Sequence, residues 1–344
     1  MFKKSKLFLI NLIVFLLLLL VFEIFLGNKI YPNKLNCVYL LCSANHSYKN
    51  DLYEGKKYIT YKKDKYGFRG LRKNINEIDI LVVGGSTTDE RYLEIKDTWS
   101  EQLEKKINTR YPDLNLDVVN AGIDGQSTHG HIWNFENWFS KLKGFKTRYI
   151  FFYIGVNEYF SKEIKKYEQG TNNLNYNQKI KFWLKENNGI IYKTYSLLYR
   201  KYFLKDILNV GHKLRNNEYK LIEKPYLIDD ENIKALNSRL DKLIELTKKI
   251  DAIPIFITQK TQRHKIINNK IYSIDTNNYF SQEKKVSEII MNNCKKNQIF
   301  CIDLFKKIEF TDKHLYDLVH TSPEGANKVS NVILNEFNSI LNKN

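Results

Sequence analysis

Ile80-Leu81-Val82-Val83 is an unbroken apolar run that leaves the chain few ways to fold. A strand with one wet face alternates apolar and polar residues, so a run without alternation has to be covered on both faces. Further apolar runs occur in "LNLDVVN", ending at Asn120, in "RYIFFYIG", ending at Gly155, in "IPIFITQ" and in "IFCIDLF". Helical patterns separate them: one near 98–110, an aromatic-rich one reaching about 142, one around 230–250, one near 281–296 and a last one from about Ser322. The start of the first, "TWSE", reads as a capping box of Thr98 with Glu101. Strands alternating with helices predict an α/β domain whose central parallel sheet carries helices on both faces.

A second constraint sits at the N-terminus. Leu7 to Leu26 is almost uninterrupted apolar sequence. Twenty helical residues at about 1.5 Å each reach about 30 Å, the thickness of a bilayer's hydrocarbon core. Lys3, Lys4 and Lys6 precede the run, which sets the N-terminus in the cytoplasm and the remainder outside. Glu23, Phe25 and Leu26 offer no small-residue cleavage site, so the expectation is a single uncleaved transmembrane anchor rather than a signal peptide. The expected organisation is then 1–27 for the cytoplasmic end and anchor, 28–78 for an extracytoplasmic neck, and 79–344 for the α/β domain. The neck contains "YKKDKYGFRG", read as a turn between short strands. The domain carries a Lys-, Asn- and Tyr-rich insertion at about 160–228.

The 55 Lys and Arg against 38 Asp and Glu give a formal charge of +17. The basic residues are scattered among Asn, Ile and Tyr, without a helix-turn-helix, zinc-finger or RNA-binding motif, so nucleic acid is not expected as a partner. Four cysteines form two close pairs, Cys37 with Cys42 and Cys294 with Cys301. No Cys-x-x-Cys pair or matching histidines accompany them, so no metal site is expected. Outside the cytoplasm the pairs suit two local disulfides; the other reading is four free thiols, and the sequence leaves both open.

Chemistry-bearing residues collect after the strands. Ser86 follows the first, Gly122 and Gly125 the second, Asn157 the third, and Asp317 with His320 stands just before the last helix. A serine nucleophile needs a base within hydrogen-bond reach and a group that orients the base, which Asp-x-x-His supplies. The backbone N–H groups of Ser86 and Gly125 and the side-chain amide of Asn157 suit an oxyanion hole. Singly, each fragment has a plain structural reading as turn or cap; their shared position at strand ends gives them weight. Two other readings fail. A nucleophile elbow requires Gly where Thr88 stands, and a phosphate-binding loop requires a Lys that does not follow Gly85.

The blocks "GGSTT", "NAGIDGQS", "GVNE" and "DLVH" resemble those of the SGNH (GDSL-type) hydrolase family over roughly 79–160 and 230–340. The resemblance implies a flavodoxin-like three-layer α/β/α fold and no cofactor. It implies Ser86 as nucleophile, His320 as base, Asp317 as its orienting acid, and Ser86, Gly125 and Asn157 around the oxyanion. Gly85 stands in place of the family's usual Asp, and Glu158 in place of the Asp after the block Asn. Membrane-tethered members with a "GFRG" neck resemble proteins that edit or transfer acyl groups on cell-surface polysaccharides. The expected substrate is therefore an acyl ester, in particular an acetyl ester of a glycan. An O-acyltransferase with the same residues, or a non-catalytic glycan-binding or assembly protein, are the alternatives. Arg263 and His264, after "IFITQKTQ", either reach the cleft or lie on the surface.

Overall fold

The apolar runs pair into one parallel sheet. In the computed structural model the described residues are 2–23, 25, 35, 37–158, 207–208, 219–222, 230–268, 270–274 and 279–342. In chain order the helices are α1 (Phe2–Phe22), α2 (Cys37–Leu40), α3 (Ser86–Asp89), α4 (Trp99–Arg110), α5 (Thr128–Asn137), α6 (Asp230–Lys248), α7 (Tyr279–Asn297), α8 (Leu304–Lys307) and α9 (Pro323–Leu341). The strands are β1 (Asn45–Lys49), β2 (Tyr58–Lys62), β3 (Ile78–Gly84), β4 (Val118–Asn120), β5 (Thr147–Ile154), β6 (Ile207–Leu208), β7 (Lys220–Leu221), β8 (Ile253–Thr258), β9 (His264–Ile267), β10 (Lys270–Ser273) and β11 (Cys301–Ile302).

The central sheet has the order β4-β3-β5-β8-β11, and every pair in it is parallel. β3 lies between β4 and β5, with Ile80 opposite Val118 on one side and Tyr149 on the other. The strand order reverses direction between β3 and β5, as in flavodoxin-like sheets. Ligand crevices form outside the carboxyl ends of the strands at such a reversal. Successive residues of β3 point to opposite faces, which explains the unbroken run. Leu81 and Val83 join Phe152 and Phe256 beneath α5, α6 and α7, in a layer that includes Leu240 and Ile290. Ile80 and Val82 join Phe151 and Ile257 beneath α4 and α9, with Trp99, Leu103 and Phe337. Each such side chain contributes roughly 1.5–3 kcal/mol when fully buried. The layers are those expected of a three-layer α/β/α domain.

The edge strands are shorter than their apolar runs. Pro112–Leu114 form a 3-10 turn, Asn115 adopts a left-handed φ of 41°, and β4 begins only at Val118. β11 ends after two residues because the Asp303 side chain caps α8, accepting from the Lys306 N–H. At α4, Thr98 accepts from the Glu101 N–H, but the Glu101 carboxylate turns to Arg72, so only half of the expected capping box forms.

The neck contributes to the core. β1 and β2 form an antiparallel hairpin, and Arg69 bridges Asn120 beside β4. Phe68 is fully buried and stacks on Trp138 with ring centroids 4.8 Å apart. The described pieces of the insertion serve as added strands, β6 beside β1 and β7 beside β10. The remainder of 160–228 lies outside the described residues. Both cysteine pairs are joined: Cys37–Cys42 spans α2, and Cys294–Cys301 ties the end of α7 to β11.

The N-terminal run is helical, with Leu7 61% and Phe8 70% exposed. Among the described residues no helix is long and apolar enough to cross a membrane. The apolar part of α1 from Leu7 to Phe22 rises about 24 Å, short of the about 30 Å expected for the whole run to Leu26. The end of that run lies at the limit of the described residues.

Candidate active site

β3 ends at Gly84, where a Cβ would lie 2.0 Å from Thr88 Oγ1, so only glycine lets the chain turn directly into α3. Ser86 opens that helix. Its Oγ lies 2.8 Å from His320 Nε2, and His320 Nδ1 lies 2.6 Å from Asp317 Oδ2. The other Asp317 oxygen accepts the N–H groups of Val319 at 3.1 Å and His320 at 2.8 Å, and Leu318, between Asp317 and Val319, has a φ of 80°. The Asp-x-x-His turn thus fixes the orientation of its own carboxylate. Tyr316 stacks on the His320 ring at 5.7 Å, and Ser322 starts α9 by accepting the Gly325 N–H. The Asp317 side chain is 9% exposed and that of His320 16%, so the pair is sheltered from screening.

Gly125 has a φ of 77°, open chiefly to glycine. Asn157 reaches the same loop: its Nδ2 donates to Gln126 O at 3.0 Å, which leaves a second N–H on that amide. Gly85 backs against this contact, since a Cβ there would lie 2.3 Å from Asn157 Nδ2 and 2.8 Å from Gln126 O. The structure therefore brings Ser86, Asp317 and His320 into one hydrogen-bonded row, with Gly125 and Asn157 on adjoining loops at the carboxyl edge of the sheet.

Several buried groups hold these loops; the sequence singled out Glu158 only for its place after Asn157, and the others escaped it. Glu158 accepts the Thr128 N–H at 2.5 Å and its hydroxyl at 2.8 Å, which caps α5; Arg239 donates to Thr128 Oγ1 at 2.8 Å and lies 3.5 Å from the carboxylate. Gln259, at the end of the fourth apolar run, accepts the Val156 N–H at 2.7 Å and donates to Thr87 Oγ1 at 3.0 Å and Tyr153 O at 2.9 Å. A polar residue closing an apolar strand was its only signal in the sequence.

Behind α3 lies a charged cluster. Burial would raise the Asp89 carboxyl, but Lys63, Arg91 and Arg69 hold it below the usual carboxylate range. Tyr61 donates to it at 2.8 Å. Glu90, the next residue, is pushed up to about 8 by burial, although Thr321 and the Trp99 N–H both donate to it. His264 is buried, packed near Phe305 and 3.8 Å from Glu283; burial pushes its imidazole down to about 4. It is therefore not a surface residue. Among the described residues no group of three His, Cys, Asp or Glu is arranged to hold a metal ion.

A hydroxyl in contact with an imidazole whose other nitrogen faces a carboxylate can lose its proton as it attacks an electrophile. No known family model matches the chain, and no curated protein matches its sequence. Among solved structures it is similar to a member of the lipolytic protein G-D-S-L family from Veillonella parvula, at 18% identity over 76% of this chain and 98% of that one, with a TM-score of 0.42. It is similar to an acetylxylan esterase from Geobacillus stearothermophilus, at 15% identity over 75% and 93%, with a TM-score of 0.43. An alpha/beta hydrolase enzyme from the metagenome of Lake Arreo, Spain, matches at 12% identity over 77% and 98%, with a TM-score of 0.44.

Proposed function

We propose that this chain is a membrane-anchored, extracytoplasmic serine esterase of SGNH type. It acts on acyl esters, acetyl esters of cell-surface polysaccharide in particular, through a covalent intermediate on Ser86. The observation that carries the reading is the row Ser86 Oγ, His320 Nε2 at 2.8 Å, and Asp317 Oδ2 at 2.6 Å from His320 Nδ1. Ser86 Oγ attacks the ester carbonyl while His320 takes its proton, and Asp317 stays ionised beside the imidazolium. The carbonyl oxygen becomes an oxyanion that accepts from the N–H groups of Ser86 and Gly125 and the Asn157 amide. Collapse breaks the bond to the alcohol, which leaves with the proton from His320. A water then gives its proton to His320 and attacks the acyl group, which releases the acid and restores Ser86.

The anchor reading is supported by the apolar run from Leu7 to Leu26 and the lysines before it. Two disulfides fit an oxidising compartment. The test is acetate release from an acetylated oligosaccharide, and nitrophenol release from nitrophenyl acetate, by the detergent-solubilised full chain. Ser86→Ala and His320→Ala should each lose several orders of magnitude in turnover, and the double variant scarcely more, because the groups act as a unit. A folded Ser86→Ala protein that keeps its rate overturns the proposal.

A further inference from the structure

The helix that carries Ser86 is four residues long and ends in a strained turn, with Glu90 at a left-handed φ of 43°. A helix this short has almost no stability of its own, and its terminal carbonyls have no partners within it. Trp99 Nε1 meets the Thr87 carbonyl and Asn120 Nδ2 the Thr88 carbonyl, while the Asp89 carbonyl and two just beyond the helix are met by Arg69, from the "GFRG" stretch of the neck. One guanidinium nitrogen donates to Asp89 O and, at 3.0 Å, to Glu90 O, and another donates to Leu93 O at 3.0 Å. Arg69 is itself 2% exposed, and its backbone exchanges two 2.9 Å hydrogen bonds with Asn120 at the edge of the sheet. The guanidinium is therefore anchored to the sheet, and its fork matches three carbonyls at once.

The same turn reaches forward. The Glu90 carboxyl accepts the Trp99 N–H at 2.8 Å and the Thr321 hydroxyl at 2.5 Å, and Thr321 is the residue after His320. Bonds thus run from the neck through the end of α3 to the loop of the base. We propose that Arg69 and Glu90 are positioning residues that fix α3 against the His320 loop and so set the Ser86–His320 contact. The neck is then part of the catalytic frame rather than a spacer. The inference rests on the esterase reading. A displacement of about 1 Å between reacting groups costs on the order of 100-fold in rate, which scales the expected effect.

The test uses the detergent-solubilised full chain and the variants Arg69→Gln, Arg69→Lys, Glu90→Ala and Glu90→Gln. Phe68→Leu serves as the control: it alters a fully buried neighbour that packs on Trp138 rather than on α3. All are assayed with nitrophenyl acetate at a temperature where circular dichroism shows each to be folded. Arg69→Gln and Glu90→Ala should lose about 100-fold in kcat with KM changed less than about threefold, and the rate of fluorophosphonate labelling at Ser86 should fall in parallel. Arg69→Lys should lose nearly as much, since an ammonium cannot span three carbonyls. Glu90→Gln should recover much of the loss seen with Glu90→Ala, because an amide can still meet both partners with the Thr321 hydroxyl reversed. Phe68→Leu should lose stability but keep its kcat. If Arg69→Gln fails to fold, Glu90→Ala and Thr321→Val carry the comparison. Variants of Arg69 and Glu90 whose kcat matches that of Phe68→Leu overturn the inference and leave the esterase intact. A wild type without turnover defeats the esterase reading before any variant is compared.

Discussion

Gly85→Ala probes contact rather than conformation, because Gly85 has a φ of −84°, outside the left-handed region. The added Cβ would lie 2.3 Å from Asn157 Nδ2 and 2.8 Å from Gln126 O. The backbone carbonyl has little room to yield, so the Asn157 amide must swing away and give up its 3.0 Å bond to Gln126 O. One such hydrogen bond contributes about 1 kcal/mol to stability. Loss of one oxyanion donor costs about 100- to 1,000-fold in kcat, or about 2.7–4 kcal/mol of transition-state stabilisation. Gly85→Ala should therefore lower kcat on nitrophenyl acetate by about 100-fold while the denaturation midpoint moves only modestly. The decisive arm is the double variant. In an Asn157→Ala background the clash with the amide is gone and only the 2.8 Å approach to Gln126 O remains, so Gly85→Ala should cost clearly less than it does in the wild type. A Gly85→Ala enzyme within about twofold of wild type, or one whose full loss repeats on top of Asn157→Ala, would refute the coupling.

Three other outcomes are expected. Burial raises Glu90 from 4.5 to about 8, so the folded chain holds a proton that the unfolded chain gives up. The Glu90 contribution to stability should be complete below about 4.5 and be lost as pH rises towards about 8, so the stability difference between wild type and Glu90→Gln, read by urea titration, should shift across that window; a difference that does not change with pH would be contrary. Replacing Cys294 and Cys301 by serine opens a loop with a sequence separation of 7. That change should cost about 2–3 kcal/mol by chemical denaturation, and an unchanged midpoint would show that the packing of α7 suffices. Protease added to intact spheroplasts should digest the chain beyond the anchor; full protection would contradict the proposed topology.

The sheet was legible because its strands are covered on both faces, and runs such as Ile80–Val83 have no polar position to hide that fact. Strand ends were less legible: β4 and β11 are trimmed by local events, the left-handed Asn115 and the Asp303 cap, that override apolar content. Ser86, Gly125 and Asn157 stood out because each closely follows an apolar strand, and Asp317 with His320 because they form Asp-x-x-His just before a helix. The groups that hold them did not, because their partners are remote in sequence. Gln259 bonds to Thr87 from 172 residues away, and Glu90 to Thr321 from 231. Arg69 looked like part of a turn, and only the packed neck shows which carbonyls it meets. The cysteines stayed ambiguous because spacing alone does not set the redox state of a pair.

Peptide mass mapping after brief exposure of the full chain to a fluorophosphonate is the most direct test of the central claim. An activated Ser86 should displace fluoride and carry a single phosphonyl group on its peptide. The adduct should be missing from Ser86→Ala and much slower to form in His320→Ala. A wild-type chain left unlabelled, or labelled at another residue, would contradict the account.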